Sequence, residues 1–461
     1  MVKKWTIDTN ELGTGKTYWA VHKAPEEGRV LIITSRRAIY DQMRKEGTQK
    51  AVASDYAFKY DGIAEATTVA YLHHHIKDFI NQKYKLVIVD EAHCLTADAA
   101  FAESVCTLYF FLRYIDADIH LMTSTPFTLT DYDLFDDINF EGVGDRGRGV
   151  KPKEVWIVKQ VDIKNHITRN CNSEYKGICL MKSAAEAYQW EKQLCRPDII
   201  AITSQSRGNR EATRREQEVL DYLIYNEKLP DDISCILTTS KLREGINIYD
   251  DKVKFVSTER IDRINLIQMS GRVRSNGGVD LMMVAADKYQ EVHIKSEEEK
   301  YKEQQRYIEA LNRMYEEIKS SPLNREKFLR DNAFSPDDYI CYDPIADCFK
   351  RNKGKMINKY EEHDCNQKFK EDALSYIKEN INAPVVDKTQ RTLDDLIIEV
   401  IERWKNHKLT QELKEKFCDE IYDVGERNAS GARRGPKGIG RLVRRYGYEY
   451  KDSTILDGEN S

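Results

Sequence analysis

Two short stretches hold the residue types that phosphate chemistry demands. In NELGTGKTYW, residues 10–19, Gly15-Lys16-Thr17 closes the pattern of a phosphate-binding loop. Gly13 and Gly15, with Thr14 between them, would let backbone N–H groups turn inward on phosphate oxygens. Lys16 would pair with the β and γ phosphates, and the Thr17 hydroxyl would hold Mg²⁺. The first glycine of the full pattern is replaced by Asn10. Taken alone, a solvated Gly turn would account for the same residues.

The second stretch, VIVDEAH at residues 87–93, is an apolar run leading into adjacent carboxylates. In a parallel sheet such a run puts charge at the C-terminal edge, where α/β folds bind ligands. Asp90 would hold Mg²⁺ through water, and Glu91 would polarise an attacking water. Adjacent acids can also merely solvate a loop. The complementary loop upstream outweighs that reading, and together the two stretches point to nucleoside triphosphate hydrolysis.

Both stretches need strands and helices to hold them. KKWTI can lead into the loop and TYWAVHKA can follow it as a helix. Short apolar runs then recur with helical segments between them, such as RRAIYDQMRKEG, the pattern of a parallel α/β sheet. Strands are expected at 30–34, 67–72, 85–91 and 119–124, and a Gly-rich, charged linker at 141–154. The pattern repeats at 154–158, 177–181, 198–203, 234–239, 253–258 and 279–286. Residues 296–321 read as one long charged helix, and the remaining chain as mainly helical without a strong strand pattern. The expected fold class is α/β: two tandem parallel-sheet modules, 1–145 and 155–292, followed by a mainly helical accessory region, 293–461, with a basic tail.

Composition sets the outer bounds. A chain of 461 residues with 41% hydrophobic side chains can bury several cores. No apolar run approaches the ~20 residues of a membrane span, and MVKKWTIDTN has no apolar core of signal-peptide length. A cytoplasmic protein with reduced thiols is expected from its ten scattered cysteines. A net charge of −5 carries no global nucleic-acid signature, so any such contact must be local.

Motifs in a fixed order along residues 5–290 resemble the superfamily 2 helicases and translocases, specifically their DEAH-bearing members. Gly13-Thr14-Gly15-Lys16-Thr17 is similar to motif I, Thr34-Ser35-Arg36-Arg37 to motif Ia, and Asp90-Glu91-Ala92-His93 to motif II. Thr123-Ser124-Thr125 stands where the family has motif III. Thr239 and Gly245 resemble motif V, with Asn247 where many relatives have Asp. QMSGRVR, 268–274, resembles motif VI, with Gln268 and Arg272 in family positions. The second arginine of that motif falls on Ser275, while Arg274 sits one residue earlier. Some relatives of the herpesvirus origin-binding type also read G-R-V-R here.

The resemblance implies two RecA-like modules with ATP between them. Lys16, Thr17 and Asp90 would hold ATP and Mg²⁺ on one side, and Arg272, assisted by Arg274, would complete the site from the other. It also implies that His93 and Gln268 sense the γ-phosphate, that Gly245 lies at the nucleotide, and that Thr123 and Thr125 couple its loss to movement. Nucleic acid would be gripped by Ser35, Arg36, Arg37, Thr67, Thr68 and Thr239. The expected activity is that of an ATP-dependent DNA helicase or translocase, serving replication or repair in a phage, plasmid or bacterium. The alternatives are a non-unwinding ATPase that remodels protein–nucleic acid complexes and an RNA helicase. DNA is the expected partner over RNA, with no membrane partner and with the C-terminal region open to a protein partner.

The segment 427–451 concentrates Arg, Lys and Gly near Tyr446, Tyr448 and Tyr450. Arg433, Arg434, Arg441, Arg444 and Arg445 could contact phosphates while the rings stack on bases. The same residues also fit a short helix and strand that bury Leu442 and Val443. Cys341, Cys348, His363 and Cys365 lack the compact spacing of structural zinc ligands, and His73-His74-His75 would fan to different helix faces.

Overall fold

The computed structural model describes residues 3–10, 15–24, 28–35, 40, 51–53, 57–60, 64–135, 138–143, 152–203, 210–239, 248–275, 278–284, 293–381, 383–388, 393–423, 436–446 and 448–457. The chain divides into two compact units, Met1–Val386 and Asp387–Ser461. No described helix is long and apolar enough to cross a membrane.

The first unit contains two sheets. The first is built from β1 (Trp5–Asp8), β2 (Val30–Thr34), β3 (Ala51–Ala53), β4 (Ala57–Tyr60), β5 (Ala64–Thr68), β6 (Leu86–Asp90), β7 (Asp118–Met122) and β8 (Glu141–Val143). Their order is β3-β4-β5-β2-β6-β7-β1-β8. From β5 to β8 in that order the strands run parallel, whereas β4 pairs antiparallel with both β3 and β5. Val30, Ile32 and Ile88 face a core with Ala20, Val21 and Tyr40, while Leu31, Ile33, Val87 and Val89 face a second core on the other side. Burial on both faces explains why β2 and β6 are apolar up to their last residues, Thr34 and Asp90.

Two expectations change here. The run 67–72 is not a strand: β5 ends at Thr68, whose hydroxyl accepts from Tyr71 N at 3.2 Å and caps helix Val69–His74. A Thr that satisfies an open helix N–H wins over the local strand preference. In the expected linker, Glu141–Val143 instead add β8 beside β1. The helix expected at 36–47 lies outside the described residues apart from Tyr40.

The second sheet comprises β9 (Glu154–Val158), β10 (Lys176–Leu180), β11 (Ile199–Ile202), β12 (Cys235–Thr238), β13 (Val253–Thr258) and β14 (Asp280–Val284). Beyond the hairpin β15 (Ile340–Asp343) and β16 (Cys348–Arg351), a short strand β17 (Val385–Asp387) takes one edge. The order is β11-β12-β10-β13-β14-β9-β17. Alternate residues again supply two cores, Ile178, Ile236 and Val256 on one face, Cys179, Leu237 and Phe255 on the other. The hairpin also corrects the expectation of a region without strands. Two parallel α/β modules followed by mainly helical chain is the fold class expected above.

Helices at Ile294–Ile318, Pro322–Asn332, Lys353–Glu371 and Ala373–Asn380 follow the second sheet. Lys353–Glu371 joins the modules. Its Ile357 sits in a core of the first sheet, while Cys365 and Phe369, with Tyr376 and Ile377 of the next helix, sit in a core of the second. The Asn352 side chain caps it by accepting from Lys355 N at 3.0 Å and donates to Ala99 O at 2.7 Å. At Gly354 the helix meets the turn after Asp90–His93 so closely that a Cβ would run into the Leu95 carbonyl oxygen and lie 2.9 Å from Ala99 Cβ. Gly354→Val should therefore destabilise this unit by about 1–3 kcal/mol through overpacking. Thermal unfolding followed by fluorescence tests this, and an unchanged midpoint would mean that the helix is not seated on Leu95.

Candidate nucleotide site

The three strands that carry the first module's motifs lie side by side, β7 between β1 and β6. At the end of β1, buried Asp8 accepts from Asn10 N at 3.0 Å and from Asn10 Nδ2 at 2.6 Å. That clamp gives Asn10 a place where the motif ordinarily carries glycine. The Asn10 carbonyl in turn accepts from Lys16 Nζ at 2.5 Å. Gly15 has φ +82°, a left-handed conformation that glycine adopts without strain, as the chain turns into helix Lys16–His22. Gly13 and Thr14 lie outside the described residues.

Thr17 Oγ1 donates to Asp90 Oδ2 at 3.0 Å across the site. Asp90 is buried, and its carboxyl is pushed up to about 7, first by burial and then by the charge of Glu91. The Thr17 hydrogen bond and Lys16 oppose that shift. Burial holds the Lys16 ammonium below its usual range, against the pull of Glu91, Asp8 and Asp90. Acidic charge packed this densely calls for a cation. A hydroxyl and a carboxylate oxygen in contact are hard donors of the kind that Mg²⁺ takes. Thr17 and Asp90 fit that role.

The chain leaves β6 through Glu91, which holds φ +55°. For a residue with a Cβ this stores on the order of 1–3 kcal/mol, a strain typical of functional sites. The turn places the Glu91 carboxylate opposite the second module. Arg272 Nη2 donates to Glu91 Oε1 at 2.8 Å, and Gln268 Nε2 to Oε2 at 3.1 Å. Gln268 Nε2 also reaches Ser124 Oγ at 3.2 Å, and its Oε1 accepts from Arg272 Nη2 at 2.5 Å. His93 Nδ1 lies 3.4 Å from Glu91 Oε2 and 3.3 Å from Thr123 Oγ1. Thr123 Oγ1 and Thr125 Oγ1 are 3.1 Å apart, and Thr123 N donates to Asp8 O at 3.1 Å. One buried network therefore joins β1, β6 and β7 to the helix Arg263–Ser270 and to Arg272 beyond its end.

Arg274 stands apart from this network. It donates to Tyr249 Oη at 2.7 Å, with its guanidinium 5.4 Å from that ring's centroid. Ser35 follows β2 beside the end of β5, where Thr34 pairs with Thr68. Thr67 is buried, Thr68 is engaged as a helix cap, and Thr239 follows β12. Arg36, Arg37, Gly245, Arg433 and Arg434 lie outside the described residues. Arg441, Arg444 and Arg445 belong to the second unit and are exposed. Cys341 packs beside Cys106 and Phe110, whereas Cys365 donates to Glu361 at 3.1 Å.

A second buried cluster anchors the start of the helix that carries Gln268. Arg263 Nε and Nη2 donate to the two carboxylate oxygens of Glu361 at 2.8 and 2.5 Å. The same guanidinium lies 3.8 Å from the Phe127 ring centroid and 3.7 Å from Asp131. Tyr132 Oη donates to Asp364 at 2.7 Å. Neither Arg263 nor Glu361 was singled out by sequence, and nothing local marks them. Asp8 carried a visible signal, an acid inside the apolar strand TID ahead of the loop.

No protein-family model matches the sequence, and no curated protein matches it. Among solved structures, Dbp5 of S. cerevisiae bound to RNA and ADP BeF3 is similar over 62% of this chain and 80% of that one, at 14% identity and a TM-score of 0.46. The Mycobacterium smegmatis helicase Lhr bound to ssDNA and AMP-PNP is similar over 77% of this chain and 57% of its own, at 14% identity and a TM-score of 0.44. The Escherichia coli DEAH/RHA helicase HrpB is similar over 61% of this chain and 40% of its own, at 13% identity and a TM-score of 0.42.

Proposed function

We propose that this chain is an ATP-dependent superfamily 2 helicase or translocase of the DEAH-bearing kind, with DNA as its track and replication or repair as its setting. The observation that supports this best is the contact of Arg272 and Gln268, from the second module, with Glu91 of the first. A site divided in this way makes hydrolysis depend on the mutual position of two bodies, which is what a motor requires.

Arg272 balances the charge of Glu91 through its contact at 2.8 Å. An entering γ-phosphate would compete for the guanidinium and for Lys16, which is held by the Asn10 carbonyl. Glu91 is then released to accept a hydrogen bond from the attacking water. Mg²⁺ held by Thr17 and Asp90 would neutralise charge on the β and γ oxygens. His93 and Gln268 touch both Glu91 and β7-derived hydroxyls, so loss of phosphate would be felt at Thr123 and Ser124.

The test is the ATPase rate without nucleic acid and with single-stranded DNA, duplex DNA or RNA, beside Lys16→Ala. Stimulation by DNA that the variant abolishes supports the proposal. Stimulation by RNA alone would favour an RNA helicase. Stimulation by DNA without strand separation would favour a remodelling ATPase, and indifference to every nucleic acid would end the motor reading.

A further inference from the structure

The unit Asp387–Ser461 has a core of its own, formed by Ile397, Val400, Ile401, Phe417, Leu442 and Val443 with their neighbours. Helices Leu393–Trp404 and Gln411–Asp423 come first, then helix Ile439–Arg445, then the antiparallel strands β18 (Tyr448–Lys451) and β19 (Thr454–Asp457). The hairpin turns through Asp452 and Ser453, both at positive φ, as a two-residue turn of matching twist requires. The link between the first two helices is tied to the hairpin by two isolated bridges of opposite sense. Lys405 bridges to Ile455 and Lys408 to Thr454, with Asn406 N donating to Ile455 O at 2.8 Å. Three helices and then a hairpin, in that order, make a helical core with a β-wing at its end.

The third helix has two opposed faces. Ile439, Leu442 and Val443 are buried, and Gly440 lets the helix lie so near the hairpin that a Cβ would sit 3.0 Å from Tyr450 Cδ1. Arg441, Arg444 and Arg445 are exposed. At ~100° per residue they fall on one stripe opposite the buried one. Neither Arg441 nor Arg444 is held by a carboxylate among the described residues. Planar guanidinium groups suit bidentate pairing with phosphate or guanine edges.

We propose that helix Ile439–Arg445 enters the major groove of duplex DNA, with Arg441, Arg444 and Arg445 on phosphates and base edges and the β18–β19 hairpin beside the adjacent backbone. A projecting helix fits the B-form major groove, whereas the deep, narrow major groove of A-form RNA excludes it. This deepens the functional reading above and rests on it for the motor that the module would serve.

The experiment measures binding of the full chain, without ATP, by anisotropy of a labelled duplex DNA, the matching duplex RNA and a single strand. The triple variant Arg441→Ala, Arg444→Ala, Arg445→Ala should lose roughly 10- to 100-fold in duplex DNA affinity and lower the salt slope by about 1–3. The corresponding triple Lys variant should keep most of the salt slope while losing affinity, which also separates the effect from misfolding. Both variants should retain the ATPase rate measured without nucleic acid. Unchanged duplex DNA affinity in the Ala variant would overturn the proposal. So would equal binding and equal loss on duplex RNA, or tighter binding to vesicles of anionic phospholipid. If the wild-type chain hydrolyses no ATP, the motor reading fails while the binding result stands.

Discussion

Glu91→Gln is expected to lower the ATPase turnover by roughly 10²–10⁴-fold, the usual contribution of a positioned base, while nucleotide binding survives. The substitution keeps the shape of the side chain and can keep the hydrogen bond from Arg272 through its one oxygen, while its NH2 takes the place of the oxygen that accepts from Gln268. It removes the negative charge that polarises water. It also removes the charge that holds Arg272, so the guanidinium becomes freer for the γ-phosphate. The expected signature is a collapsed kcat with an ATP affinity that is equal or tighter, read by steady-state kinetics and by titration with a fluorescent ATP analogue. A turnover within threefold of wild type would remove Glu91 from the catalytic role.

Arg272→Ala should cost more, on the order of 10³–10⁵-fold in turnover, because a guanidinium supplied across a cleft stabilises the transferring phosphoryl group. Arg272→Lys should not restore the rate, since a compact ammonium lacks the planar pair of N–H groups that a guanidinium presents to phosphate oxygens. Arg272→Ala also leaves Glu91 beside Asp90 without its partner, and a stranded buried charge costs roughly 3–5 kcal/mol. A lower unfolding temperature should therefore accompany the kinetic loss, and Glu91→Gln on top of Arg272→Ala should recover stability without recovering rate. Arg274 lies on Tyr249 and outside the network, so Arg274→Ala should stay within about tenfold of wild type, far below a finger's effect. If the two arginine variants lost equal activity, the finger would have to be shared.

Much of the site is legible because phosphate chemistry restricts residue type and spacing at once. Lys16, Thr17, Asp90 and Glu91 can be picked from the chain because a loop and a carboxylate pair each demand the other. The strands at 30–34, 154–158 and 253–258 are equally plain, being apolar runs buried on both faces. Other features depend on the fold and leave no local trace. Arg263 and Glu361 are 98 residues apart, and only the packing of two helices brings them together. That β7 lies between β1 and β6 is likewise a matter of topology, yet it puts Thr123 within reach of both motifs. The run 67–72 misleads because Thr68 serves a strand end and a helix cap together. The β18–β19 hairpin is hidden in a stretch dominated by charge, where alternation is visible only once Tyr448 and Tyr450 are seen against one core.

The helix Lys353–Glu371 has a kinematic consequence. With Ile357 embedded at one end and Phe369 at the other, it is a strut of roughly 28 Å, at 1.5 Å per residue, with both ends built in. Swinging the modules wide apart would pull one of those side chains into water, at a cost of about 3–5 kcal/mol for a buried phenyl ring. Rolling about the strut's own axis, or sliding along it by a fraction of a turn, exposes neither. The cycle proposed above would thereby be restricted to a short, stiff stroke, with nucleotide exchanged through a shear between the modules.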